Sequence, residues 1–174
     1  MNNMAFYFVI IPLIIYLPMF LYETYIAFRR IGKPLDKGGQ YLHATWESTH
    51  TFLVASVNYF VWLYSSAVVT VGKAIFIPLL IFGAAFIVRA ILYVYLFYIK
   101  SSEQPNLFAD YSFAWLHIIM AFCLECIAVS TLVIMFRYNF QPNYILLPLL
   151  WPGLILMIPL LSVPLYFLYR TKSS

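Results

Sequence analysis

Charge is what this sequence has least of. Only 16 of its 174 residues are charged, ten basic and six acidic, while 64% are apolar and 20% aromatic. An ordinary globular domain carries about 25% charged and about 45–50% apolar residues. Sixteen charged side chains do not cover a soluble surface of 20.3 kDa, and the mean hydropathy is +0.90. The composition is that of an integral membrane protein. It excludes a disordered chain and a secreted enzyme, and two cysteines exclude a disulfide scaffold. There is no repeat at a fixed period and no low-complexity tract. No serine or cysteine sits in a nucleophile motif. The net charge of +4 does not signal nucleic acid, because the basic residues fall mainly in loops.

The chain does hold long apolar runs: residues 5–28, 42–69, 74–99, 111–136 and 144–168. About 20 mostly apolar residues suffice for a transmembrane helix, whereas a membrane barrel shows short alternating segments. The runs predict an all-α, polytopic transmembrane bundle of five spans, with residues 1–174 as one membrane domain. The first run lacks a basic leader and a small-residue cleavage site, so it reads as a span and not as a signal peptide. Arg29, Arg30, Lys33 and Lys37 follow the first span, Lys100 the third, and Arg170 and Lys172 the fifth. Lys73 and Arg137 stand on the other side. This asymmetry predicts an N-terminus outside and a C-terminus in the cytoplasm. Gly32, Pro34, Gly38 and Gly39 mark the first loop, and residues 101–110 with Pro105 mark the third. Pro148, Pro152, Pro159 and Pro164 predict kinks in the fifth span.

An ionisable side chain inside a membrane is costly, so each is a candidate for function. They are Glu23, then His43, Glu47 and His50, then Arg89, then His117 and Glu125. Counted from the predicted cytoplasmic ends at ~1.5 Å per residue, Glu23 and Glu47 lie about 8 Å deep and His117 about 9 Å. His50 and Arg89 lie about 12–15 Å deep, Glu125 about 21 Å, and His43 at the boundary. The bias to one side predicts a polar path entering from the cytoplasm. His43, Glu47 and His50 are spaced i, i+4, i+7 and share a helix face. That face reads in two ways. It is a hydrogen-bonded packing surface, or it binds a redox centre, with His50 and His117 as paired haem ligands or Glu47 and His50 as a Glu-x-x-His metal pair. A second Glu-x-x-His is absent, so no metal ligand set is complete. Arg89 needs a charge partner, for which Glu47 and Glu125 are the candidates. A third reading makes Arg89 and Glu125 the midplane site of a small transporter or channel component. Cys123 and Cys126 lie one turn apart inside a span and read as packing residues. Asn58, Ser65 and Ser66 read as interhelical hydrogen-bonding groups of the second span.

Three polar positions carry a family resemblance. Thr45-Trp46-Glu47 opens the second span, Arg89 stands late in the third, and Tyr22-Glu23 closes the first ahead of a basic loop. Over roughly residues 5–100 this resembles the N-terminal half of subunit II of cytochrome bd-type quinol oxidases. The chain has Ser48-Thr49-His50 where that family has Gly-Asn-Gln/Glu, Ala90 for its proline, and Val94 for a further carboxylate. The resemblance implies a non-haem accessory subunit in a prokaryotic plasma membrane. It implies assembly with a haem-bearing subunit that oxidises quinol and reduces oxygen, with quinone or lipid at the interface. A second copy or another small subunit would supply the missing half. It further implies Glu47 as the first carboxylate of a cytoplasmic proton path and Arg89 as its electrostatic partner. By their own chemistry His50, Glu23 and His117 are the further groups of that path, since each can take and release a proton or hydrogen-bond water in a dry bundle.

Overall fold

A computed structural model of the chain describes residues 4–33, 37–99 and 106–172, all of whose regular elements are helical. Helix α1 runs over Met4–Arg29, α2 over Lys37–Leu63 and α3 over Val68–Val94. A π-helical turn, Tyr95–Ile99, continues α3. Helix α4 covers Leu107–Tyr138, and a short 3-10 turn, Tyr144–Leu146, leads into α5 over Leu147–Lys172.

Four of these segments are long and apolar enough to cross a membrane: α1, α3 with its π turn, α4, and α5 with its 3-10 turn. The sequence predicts five spans. The one outside this set is α2, which is long enough but polar in its first half, where Gln40, His43, Glu47, Ser48, Thr49, His50 and Thr51 dilute the apolar residues.

Several boundaries differ from the sequence-based spans. The second run, 42–69, is broken by a turn at residues 64–67, so Ser65 and Ser66 belong to the turn and not to α2. Helix α3 therefore starts at Val68, six residues before the predicted 74. Gly38 and Gly39 lie in the first turn of α2 rather than in a loop. Helix α4 starts at Leu107 because the Asn106 side chain accepts a hydrogen bond from the Ala109 amide at 3.3 Å and caps the helix. It ends at Asn139, which takes the left-handed conformation (φ 48°) of a helix C-cap. Of the four prolines in the last span, Pro148 sits in the first turn of α5, where a missing amide costs little. Pro152, Pro159 and Pro164 are interior. The predicted loop markers Pro34 and Pro105, and Lys100, lie outside the described residues.

The tertiary contacts group the chain into two units. The first contains α1 up to Glu23, α2 from Gln40, and α5. Its buried residues recur at Ala5, Phe8, Pro12, Tyr16, Met19, Phe20 and Glu23 on α1, and at Tyr41, Thr45, Ser48, Phe52, Ser56, Tyr59 and Leu63 on α2. Both sets follow steps of three and four, so each helix buries one stripe. The helices run antiparallel: Phe8 meets Tyr59, the Ser56 hydroxyl donates to Val9 O at 2.8 Å, and Tyr22 meets Tyr41. Helix α5 joins through Trp151 against Phe8, and through Gly153, where a Cβ would stand 2.6 Å from the Tyr59 hydroxyl. Any larger residue there would push the Tyr59 hydroxyl aside.

The second unit contains the end of α1, α3 and α4. Helices α3 and α4 also run antiparallel, as the pairing of Arg89 with His117 and of Phe97 with Phe113 requires. The loop after α1 turns at Gly32, whose φ of +71° suits glycine. This loop is pinned by Asp110 in the first turn of α4. The Asp110 carboxylate meets the Arg30 guanidinium at 2.9 Å and accepts the Gly32 amide at 3.3 Å. Arg30 also lies over the Phe97 ring, 4.6 Å from its centroid. Removing one member of a buried ion pair strands the other charge, at a cost of about 3–5 kcal/mol. Asp110→Asn should therefore destabilise the chain by about 3 kcal/mol in detergent thermal unfolding, and adding Arg30→Met should recover more than half of that. Equal effects of the single and double variants would show that the pair is not coupled.

Candidate functional site: buried polar groups on membrane helices

Besides the Arg30–Asp110 pair, each unit buries an ionisable group within its apolar helices. In the first unit it is Glu23 of α1, which has no exposed surface. It sits on the α1 stripe that faces α2 and meets two threonines spaced i, i+4 on the buried stripe of α2. Thr49 Oγ1 donates to Glu23 Oε1 at 2.5 Å, and Thr45 Oγ1 lies 3.1 Å from the same oxygen. The single Thr45 hydroxyl hydrogen also has the Tyr41 carbonyl within 2.9 Å, so it is shared between two acceptors. A carboxylate away from water is tolerable only when its oxygens take hydrogen bonds or a proton. Two hydroxyls one helical turn apart can serve either protonation state, because a hydroxyl both donates and accepts.

In the second unit the buried group is Arg89 of α3, paired with His117 of α4, neither with exposed surface. Arg89 Nε donates to His117 Nε2 at 3.0 Å, and Nη2 lies 2.6 Å from the same nitrogen. Arginine has donors only, so His117 Nε2 must be the acceptor. The ring proton then resides on Nδ1, which donates to Phe113 O at 2.8 Å. The Phe113 ring closes the site, edge-on to His117 and under the guanidinium at 5.4 Å. This geometry assigns one tautomer of a neutral imidazole. A metal or haem iron binding at Nε2 would have to displace the guanidinium.

The other residues singled out by the sequence are placed differently. His43, Glu47 and His50 do share a face of α2, but it is the outward one. Glu47 is exposed, while His43 and His50 are half-buried. The face buried against α1 is rotated by one to two residues and carries Thr45, Ser48 and Thr49. The His50 ring stacks near Trp46 at 4.4 Å, and its Nδ1 lies 2.7 Å from Trp46 O. Glu125 of α4 is exposed and is not brought to Arg89, which meets His117 two turns earlier. Cys123 is buried, Cys126 half-buried, and both are free thiols. Asn58 is exposed on α2. Among the described residues, no three His, Cys, Asp or Glu side chains stand close enough to hold a metal ion.

Sequence reasoning missed Thr45, Thr49 and Asp110. The threonines carried a usable signal, an i, i+4 hydroxyl pair beside the acidic residue of α2. Asp110 carried none, since its partner Arg30 lies 80 residues away.

Compared with protein-family models, with curated proteins and with solved structures, the chain matches none.

Proposed function

We propose that this chain is a non-haem accessory subunit of a membrane quinol oxidase of the cytochrome bd type, and that it supplies protons to an oxygen-reducing haem subunit. One observation carries the reading: a fully buried carboxylate, Glu23, is held in a span by two hydroxyls of the neighbouring helix. A group moving protons through a dry bundle must be able to change protonation state without losing its partners. The Glu23–Thr45–Thr49 arrangement has that property. In this reading α2 crosses the membrane as a fifth span, its 27 residues covering about 40 Å. The N-terminus lies outside a prokaryotic plasma membrane. The outward face of α2, with His43, Glu47 and His50, is covered by the haem-bearing subunit. Glu47 there receives protons from the cytoplasm. His50 and Glu23 relay them, and the Arg89–His117 pair holds the positive charge of α3.

Purification from its own membranes in mild detergent should bring down a haem-bearing chain with this one. In that complex Glu47→Gln should slow oxygen uptake about tenfold or more with haem content and quinol binding unchanged. Parental turnover would remove Glu47 from the path, and a chain that purifies without haem protein would remove the oxidase reading altogether.

A further inference from the structure

Helix α4 carries a second acidic residue whose setting is the reverse of Glu23. Between Asp110 near its start and Arg137 near its end, Glu125 is the only Asp, Glu, Lys or Arg. It lies about 22 Å from Asp110 and about 18 Å from Arg137 along the axis, at ~1.5 Å per residue. With a hydrocarbon core about 30 Å thick, any placement of α4 that puts those two residues at the two membrane surfaces leaves Glu125 near the middle. The side chain is exposed and makes no hydrogen bond or ion pair among the described residues. Its neighbours on that face are large and apolar: Trp115, Ile118, Phe122, Val129, Leu132 and Phe136 are each at least 40% exposed. The opposite face of the same helix, with Phe113, His117, Met120 and Cys123, is the buried one.

A carboxyl group at mid-membrane depth on an apolar surface is unfavourable unless a donor meets it there, and even when it takes a proton and faces lipid its polar atoms stay without hydrogen-bond partners. Lipid chains offer none. A second copy of this chain, related by a two-fold axis through this face, would set Glu125 against Glu125, and like charges at such depth repel. What fits is a helix of different sequence bearing a donor at matching depth. We propose that the outward face of α4 around Glu125 is the docking surface for a transmembrane helix of another membrane protein, which places a lysine, arginine or histidine against Glu125 near the bilayer midplane. The apolar residues above and below supply the packing surface, and the charge pair sets register and excludes helices without a donor at that depth. This does not depend on the oxidase reading, because the partner is specified by donor chemistry and depth alone.

The test uses the full chain in its own membranes, with a benzophenone side chain in place of Phe122 or Val129. Irradiation should give an adduct to a transmembrane segment of a different chain, with Lys, Arg or His in its central third by mass spectrometry. Glu125→Leu should lower that adduct about tenfold or more, the effect of losing one charge-assisted contact, and Glu125→Gln should lower it less. Glu125 lies outside the chain's buried face, so both variants should keep the parental thermal unfolding profile. Dicyclohexylcarbodiimide, which attacks protonated carboxyl groups in apolar surroundings, should modify Glu125 in the isolated chain and spare it in the complex. An adduct to a second copy, an adduct to lipid only, equal carbodiimide labelling in both preparations, or an adduct unaffected by Glu125→Leu would each overturn the proposal.

Discussion

In the proposed oxidase complex, Glu23→Gln should reduce oxygen uptake about 100-fold while leaving assembly intact. Glutamine keeps an oxygen where Thr45 and Thr49 deliver their hydroxyls, so the packing of α1 on α2 survives. What it cannot do is release and regain a proton. The apolar replacement Glu23→Leu separates the two effects. It removes the acceptor of Thr49, at a cost of about 1–3 kcal/mol, whereas Thr45 still has the Tyr41 carbonyl at 2.9 Å. The leucine variant should therefore lose both turnover and thermal stability, and the glutamine variant turnover alone. Glu23→Asp, which keeps the titratable group on a shorter stem, should retain part of the activity. Oxygen-electrode rates at matched haem content measure all three. A glutamine complex that turns over like the parent would make Glu23 a packing residue.

The second large effect is expected at Arg89. His117→Ala takes away the acceptor that two guanidinium nitrogens share and should destabilise the chain by about 3 kcal/mol or more, because an unmet hydrogen bond costs more at a buried charged group than at a neutral one. Arg89→Met leaves a neutral imidazole lacking a donor at Nε2, a smaller penalty of about 1–3 kcal/mol. Adding His117→Leu to Arg89→Met should recover most of it. The ordering of the three variants in detergent thermal unfolding checks the assignment of charge to Arg89 and acceptor to His117. Imidazole nitrogen chemical shifts give a direct readout: the proton should be found on Nδ1. A proton on Nε2 is incompatible with the Arg89 contact as described.

The site was only partly legible in the sequence. Glu23, Arg89 and His117 were identifiable one by one, because any ionisable residue in an apolar run is conspicuous. Their partners were not. The i, i+4, i+7 spacing of His43, Glu47 and His50 established a shared face correctly, but spacing alone does not say which way a face points. Glu47 and Glu125, on the helices before and after it in the chain, were the natural counter-charges for Arg89. Depth along an axis leaves rotation about it undetermined, and α4 turns His117 rather than Glu125 towards α3. The division of residues 42–69 into α2 and a turn was hidden because the turn, Tyr64-Ser65-Ser66-Ala67, carries no glycine, proline or charge to mark a break.

The sequence by itself determined that this is a chain of long apolar helices, since 9% charge and runs of more than 20 apolar residues permit little else. It also determined which side chains are costly to place in those helices. The tertiary structure decided which of them are buried, and against what: Glu23 inward on Thr45 and Thr49, Arg89 on His117, and Glu47 and Glu125 outward. The reason is the solvent. In water, the polarity of a helix's two faces shows which one packs. In a bilayer, the lipid-facing surface is as apolar as the core, so that contrast vanishes and only the packing of one helix on another sets the rotation.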